Sequence, residues 1–280
     1  AVLRGLKHAK VTLYSAIIVS ISNIIFSLFF GLFLGYGAGG IGFASSAAFF
    51  IASIYSLTVL KKEQDSLIVS YENVDKASMR RKFFNVGFYI VIRSLFLTLF
   101  FAYIRNRAAL MSMEEIALQH ILLQLWSVGY IFVDAIAIAA QTLISELISK
   151  KEKYQNSLLQ KELVSVTTVI SVFLSIIPLI FLESFVELLT GNRFDVFVDL
   201  RLKVIVSISL FIGCFAFLWD GVLLGLDKPK EFSVLSILSA TVGFLVCSYL
   251  LMFQNTIETL WVSINASLII RAGLGYILQK

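Results

Sequence analysis

An aspartate, Asp134, stands near the middle of the apolar stretch Gln119–Gln141 (QHILLQLWSVGYIFVDAIAIAAQ). An Asp in a membrane span costs about 2.5–3.5 kcal/mol on insertion scales, so it faces a protein interior or a wet cavity. On a helix, Ser127, Tyr130, Asp134, Gln141 and Ser145 fall on one face, and Leu, Ile, Val, Phe and Ala fill the others. Two more ionisable residues lie well inside apolar runs. Arg93 shares a face with Asn85 and Tyr89, and Asp220 shares one with Gly213 and Ala216. The chemistry open to these three is capture of a proton or small cation at mid-membrane depth. A carboxylate set between apolar surroundings and a guanidinium can take up and release such an ion. The alternative is an Arg–Asp pair that fixes helix packing. Asp220 reads equally as an interfacial residue, because it precedes Gly221 and Gly225 at the end of its run. Glu146 and Arg271 also lie near run ends and read as snorkelling to the interface. Gln124, Trp126, Tyr130 and Gln141 suit the wall of a pocket for an amphiphilic solute, although Trp126 serves equally well as packing.

These residues need spans to hold them. A window of about 20 apolar residues marks a span, and eight are found: Val11–Leu34, Gly39–Leu60, Phe83–Ile104, Ile116–Ile148, Leu163–Phe181, Val204–Leu226, Phe232–Phe253 and Thr259–Leu278. Gly35, Gly37, Gly39 and Gly40 make a tight turn between the first two. Residues 61–82 form the longest polar stretch, ending in Arg80, Arg81 and Lys82, and read as an exposed loop with at most one helical turn. Pro178 is expected to kink or end the fifth span. Asn23 and Asn265 are placed to bond across helices, and His120 lies at a span mouth, in water.

Charge alternates between the two sides. Arg4, Lys7, Lys10, Lys61, Lys62, Lys76, Arg80, Arg81, Lys82, Lys150, Lys151, Lys153, Lys161, Lys228, Lys230 and Lys280 fall on one side. The other holds Arg105, Arg107, Arg193, Arg201 and Lys203. The positive-inside rule then places both ends of the chain in the cytoplasm. If the source is bacterial, the membrane is the inner membrane.

The composition agrees. The 280 residues are 59% hydrophobic and 15% charged, against about 25% charged in soluble domains. The net charge of +5 belongs to membrane-side loops and does not signal nucleic acid. Cys214 and Cys247 sit in apolar runs, and the two histidines, His8 and His120, are too far apart for a metal site. No GxxxxGK[ST], HExxH or GxSxG motif is present, so neither P-loop nucleotide hydrolysis nor those enzyme chemistries is expected. An ion gradient would supply the energy for transport. The expected partners are an amphiphilic small molecule and the bilayer, with the protein a monomer.

A short repeat adds organisation. Gly5-Leu6-Lys7-His8-Ala9-Lys10 and Gly225-Leu226-Asp227-Lys228-Pro229-Lys230 each introduce a pair of spans, and internal duplication is the habit of secondary transporters. A six-span unit then covers 83–280, an inter-lobe loop 61–82, and 1–60 holds the last two spans of a preceding unit. With an opening Ala-Val-Leu-Arg-Gly that lacks Met, the expectation is the C-terminal part of a twelve-span protein, or a truncated product.

Particular stretches resemble MATE (multidrug and toxic compound extrusion) transporters of the DinF-like branch. Leu118–Trp126 with Asp134–Gln141 resembles the eighth helix of that family, and Leu3–Tyr14 the start of the fifth. Asp220–Gly225 resembles the end of the tenth, and Trp261 through Arg271-Ala272-Gly273 the twelfth. The resemblance covers nearly the whole chain. It implies an all-α integral membrane bundle, with eight of twelve helices present. It further implies export of organic cations, drugs or organic anions, driven by protons or sodium without another cofactor, by rocking of two six-helix lobes. Bacterial members of the branch carry a key aspartate in a first helix that this chain does not contain. Others use acidic residues in the seventh and tenth helices, where this chain offers Arg93 and Asp220. That departure weighs against a sodium site in this lobe and favours proton coupling, or coupling from the missing lobe; within this chain Asp134 is the favoured position. A lipid-linked oligosaccharide flippase, of related build, and a non-transporting membrane fragment are the competing readings.

Overall fold

A computed structural model describes residues 9–62, 75–151, 153–191 and 198–279. Eight helices among them are long and apolar enough to cross a membrane. The chain forms two compact units, divided at Lys76 and Ala77.

The first unit contains α1 (Ala9–Phe26), which continues as a π-helical segment, Ser27–Phe33, and then α2 (Gly37–Lys62). The expected glycine turn is present. Gly35 and Gly37 take φ of +68° and +54°, a region closed to most side chains. Ala44, Ala48 and Ala52 make a buried stripe on α2 at every fourth residue, which lets the two backbones approach. Asn23 accepts a hydrogen bond from Ser45 across the pair at 3.3 Å, as its sequence position suggested.

The second unit holds α3 (Lys76–Ala108), α4 (Met113–Ser149), α5 (Lys153–Thr190), α6 (Leu200–Gly225), α7 (Pro229–Leu250) and α8 (Ile257–Leu278). Local chemistry fixes several boundaries. Ser112 caps α4 in a reciprocal box with Glu115. Thr256 caps α8, and Pro229 opens α7 at a position where its missing N–H costs nothing. Asp227 takes φ of +57° in the turn after α6. At 37 residues α4 rises about 55 Å, well beyond the ~30 Å hydrocarbon core, so both its ends stand in the headgroup region or water.

Helix α6 is the hub, packed on α4, α5 and α8, while α7 lies against α8 and α5 against α4. Glycines let the hub seat closely. A Cβ on Gly221 would lie 2.2 Å from the Ala137 carbonyl oxygen, and one on Gly225 would lie 2.9 Å from Ile144 Cβ. Together they form a small-xxx-small seam facing α4. Gly221→Ala is therefore expected to cost about 1–3 kcal/mol by overpacking against rigid backbone, read as a lower thermal midpoint in detergent. Gly273→Ala, where a Cβ meets nothing within 4 Å, is the matched control and should leave the midpoint unchanged.

Two boundaries differ from the sequence expectation. Helix α3 begins at Lys76, so residues 76–82 are its first turns; residues 63–74 of the expected loop lie outside the described residues. Pro178 sits within α5, which continues to Thr190. Membrane helices tolerate an internal proline where neighbours accommodate the freed carbonyl. Residues 5–8 of the first copy of the short repeat lie outside the described residues, and Ala9 and Lys10 open α1. The second copy forms the α6–α7 turn.

Candidate functional site

The site is built where α3, α6, α7 and α8 converge. Asp220 of α6 is the centre. Arg271 of α8 donates to it twice, from Nε to Oδ1 at 3.1 Å and from Nη2 to Oδ2. Arg93 of α3 donates from Nη2 to Oδ2 at 3.0 Å. Arg93 Nε donates in turn to Ser236 Oγ of α7 at 3.1 Å, and that hydroxyl donates to the Phe232 carbonyl. The side chains of Arg93, Asp220 and Arg271 are 19%, 7% and 6% exposed. Two guanidiniums on one carboxylate leave the buried triad with a formal charge of +1. Each guanidinium also lies over an aromatic face, Arg93 at 4.3 Å from the Phe232 ring centre and Arg271 at 4.7 Å from that of Phe217. The ring faces offset part of the desolvation of both cations.

The Phe217 ring connects the triad to an aromatic wall on α4. Tyr130 packs on Phe217 at 4.5 Å between centroids. Trp126 stacks parallel to Tyr130 at 5.9 Å, and Phe101 of α3 meets Trp126 at 6.0 Å. The indole N–H of Trp126 is buried with no hydrogen-bond partner among the described residues. Asp134 follows Tyr130 by one helical turn on the same face of α4. It is half-buried and makes no hydrogen bond or ion pair with the described residues. Tyr130 lies within electrostatic reach of Asp134, Arg93, Arg271 and Asp220.

The sequence candidates separate into groups. Arg93 and Asp220 are brought together directly, while Asp134 stands apart from their bond network. Tyr130 and Trp126 join the wall. Gln124 does not: it is exposed and lies about 120° around α4 from Tyr130, at 100° per residue. Gln141 shares the Asp134 face, two turns further along α4, and is exposed. Asp220 is not interfacial, because two arginines and the packed end of α6 enclose it. Arg271 does not snorkel either. It shares the i, i+4 row Ser267, Arg271, Gly275, all of them buried, and those small neighbours were the available sign that this face meets another helix. Glu146 does sit near a helix end, 2.8 Å from Lys150. His120 is exposed, as expected.

Of two further buried polar contacts, one escaped the sequence reading and one was expected from it. Trp261 Nε1 donates to Gln119 Oε1 at 2.8 Å, tying α8 to α4. Asn265, which was expected to bond across helices, donates to the Ile205 carbonyl of α6 at 2.9 Å. Both hold the hub helices in register and stand apart from the triad. Among the described residues no group of three or more His, Cys, Asp and Glu could hold a metal ion.

No protein-family model matches the chain. It is similar to Protein DETOXIFICATION 44, chloroplastic, of Arabidopsis thaliana, at 22% identity over 253 residues, which is 90% of this chain and 47% of that protein. The chain therefore spans about half the length of that curated relative. Among solved structures it superimposes on MATE in its straight conformation with a TM-score of 0.83 at 13% identity, covering 99% of this chain and 63% of that one. A variant of the Vibrio cholerae MATE transporter VcmN matches with a TM-score of 0.82 at 17% identity and the same coverages. An outward-facing multidrug resistance MATE family transporter of the MOP superfamily matches with a TM-score of 0.80 at 13% identity, covering 95% and 60%. The all-α, MATE-like bundle expected from the sequence is the fold observed.

Proposed function

We propose that this chain belongs to a MATE-type secondary transporter and supplies its C-terminal six-helix lobe. In this reading it exports amphiphilic organic molecules in exchange for a proton or sodium ion by alternating access. The observation that carries it is the lone carboxylate Asp134 beside an aromatic wall, in a lobe of MATE fold. An apolar wall of Trp126, Tyr130 and Phe217 accepts many aromatic solutes without a strict shape code. The curated relative is named for detoxification and one of the structural relatives for multidrug resistance, which supports the same class of cargo.

The three acidic and basic candidates divide the labour. Asp220 has both oxygens engaged by guanidiniums, so we assign it to holding α3, α6 and α8 together. Asp134 has no such bonds to break and is the group an incoming ion can reach. Tyr130 stands within reach of both and would carry the electrostatic effect of ion binding to the wall. A flippase for lipid-linked oligosaccharides is the second reading. Arg271 adds a second deep cation in its favour, but both arginines are already committed to Asp220.

The test is flux of a fluorescent organic cation through vesicles reconstituted with the protein, under separate proton and sodium gradients. Accumulation driven by one of the two gradients is expected, with collapse on adding the matching ionophore. Equal flux with and without any gradient would contradict coupling. No flux under either gradient would favour the non-transporting reading.

A further inference from the structure

At the end of the second unit where α3 starts and α6 turns into α7, a groove of about 320 Å³ opens to the surface. Its walls are Ser78, Arg81, Lys82, Asn85 and Tyr89 of α3, facing Asp227 and Pro229 of the turn. The α3 residues follow a spacing of three and four, so one polar stripe of the helix lines the groove. We propose that this groove binds the phosphate-bearing headgroup of an anionic phospholipid.

Four observations carry the assignment. First, the groove has a net formal charge of +1, from Arg81 and Lys82 against Asp227. Second, Arg81 has no ion-pair partner among the described residues, and its fork matches phosphate geometry. Third, Lys82 is held by Asp227, but the two side chains are 66% and 61% exposed. Such a pair contributes little, so a phosphate can share or take the ammonium. Ser78 and Asn85 add neutral donors for the remaining oxygens. Fourth, the same turns of α3 present Phe83, Phe84 and Phe88 at 74%, 66% and 61% exposure. A basic stripe beside exposed aromatic side chains at the end of a span matches a lipid, with its headgroup in the groove and its chains along the rings. A soluble phosphate would use only the stripe. Lys228 is not available, because its ammonium donates to the Leu278 carbonyl at 2.8 Å. It closes the turn instead.

This site lies on α3 and the α6–α7 turn, away from the aromatic wall, and does not depend on the transport reading. Its position has one mechanical consequence. Lys82–Asp227 joins α3 to the turn that follows α6, and Arg93–Asp220 joins α3 to α6 itself. A headgroup that draws Lys82 away would release the outer of the two clasps.

The test is native mass spectrometry of the purified protein with phosphatidylglycerol or phosphatidylcholine of matched chains. Phosphatidylglycerol should be retained in preference. Arg81→Gln should weaken retention about fivefold, and the Arg81→Gln/Lys82→Gln pair about 25-fold, from the usual contribution of each basic residue near an anionic lipid. Asn85→Trp, which fills the groove without changing its charge, should also abolish the preference. Both side chains in the charge variants are exposed, so the thermal midpoint should not move. Equal retention of the two lipids, or retention unaffected by Asn85→Trp, would overturn the site. So would an equal loss with Arg80→Gln, whose residue lies outside the groove, because that pattern describes a diffuse field. Glycerol phosphate binding as tightly as the lipid would likewise overturn it, by showing a site for soluble phosphate.

Discussion

Asp220→Asn is expected to lower the stability of the second unit by about 3–5 kcal/mol, the cost of removing one partner from a buried charge network. The sign follows from the charge count. The native triad is one carboxylate under two guanidiniums. Without the carboxylate, two cations remain buried and close together, each having lost its anionic acceptor. The arginine variants should behave differently, because removing one guanidinium leaves a neutral one-to-one pair. Arg271→Met should cost more than Arg93→Met. Arg271 makes two bonds to Asp220, whereas Arg93 makes one and is also held by Ser236. The order Arg93→Met, then Arg271→Met, then Asp220→Asn in falling thermal midpoint is the signature to look for. Double-mutant combinations should be non-additive, since all three share one network. If Asp220→Asn melts with the wild type, the triad does not hold the helices.

Asp134→Asn is expected to do the opposite. The side chain is half-buried and unbonded among the described residues, so the amide removes no contact. An unpaired Asp costs about 2.5–3.5 kcal/mol at a span centre, and its loss should leave insertion and thermal midpoint unchanged or slightly improved. Function should fail. If ion binding at Asp134 biases the lobe by a typical coupling free energy of 1–3 kcal/mol, gradient-driven flux falls by about 5- to 150-fold. Binding of the solute to the aromatic wall should persist, because Trp126, Tyr130 and Phe217 are untouched. A stable protein that binds but does not couple separates this role from a packing role.

The contrast between these two aspartates also shows what a one-dimensional reading reaches. Asp134, Asp220 and Arg93 were visible because ionisable residues inside apolar runs are expensive and must be explained. Their division into a bonded pair and a lone carboxylate was not visible. It depends on which faces of α3, α6 and α8 meet, and the partners are 127 and 51 residues apart in sequence. Arg271 was misread because nearness to the end of its span suggests escape to the interface. Ser267 and Gly275 on its row argued for helix contact instead. The spans themselves were legible from apolar length alone. Helix ends were less so, since α3 extends through the charged residues 76–82 once its apolar part is anchored, and α5 passes through Pro178. Gln124 shows the limit of residue type without angle: polar and on the right helix, it points away from the wall.

Asp134 is the proposed ion-coupling group of a transport lobe. The most direct test of that role measures gradient-driven accumulation of one fluorescent organic cation in matched vesicles containing wild-type protein or Asp134→Asn, with protein amount and thermal midpoint checked in the same preparations. Normal insertion, a normal midpoint, retained cation binding and loss of accumulation are expected in the variant. Accumulation equal to wild type by a fully inserted Asp134→Asn protein would contradict that role.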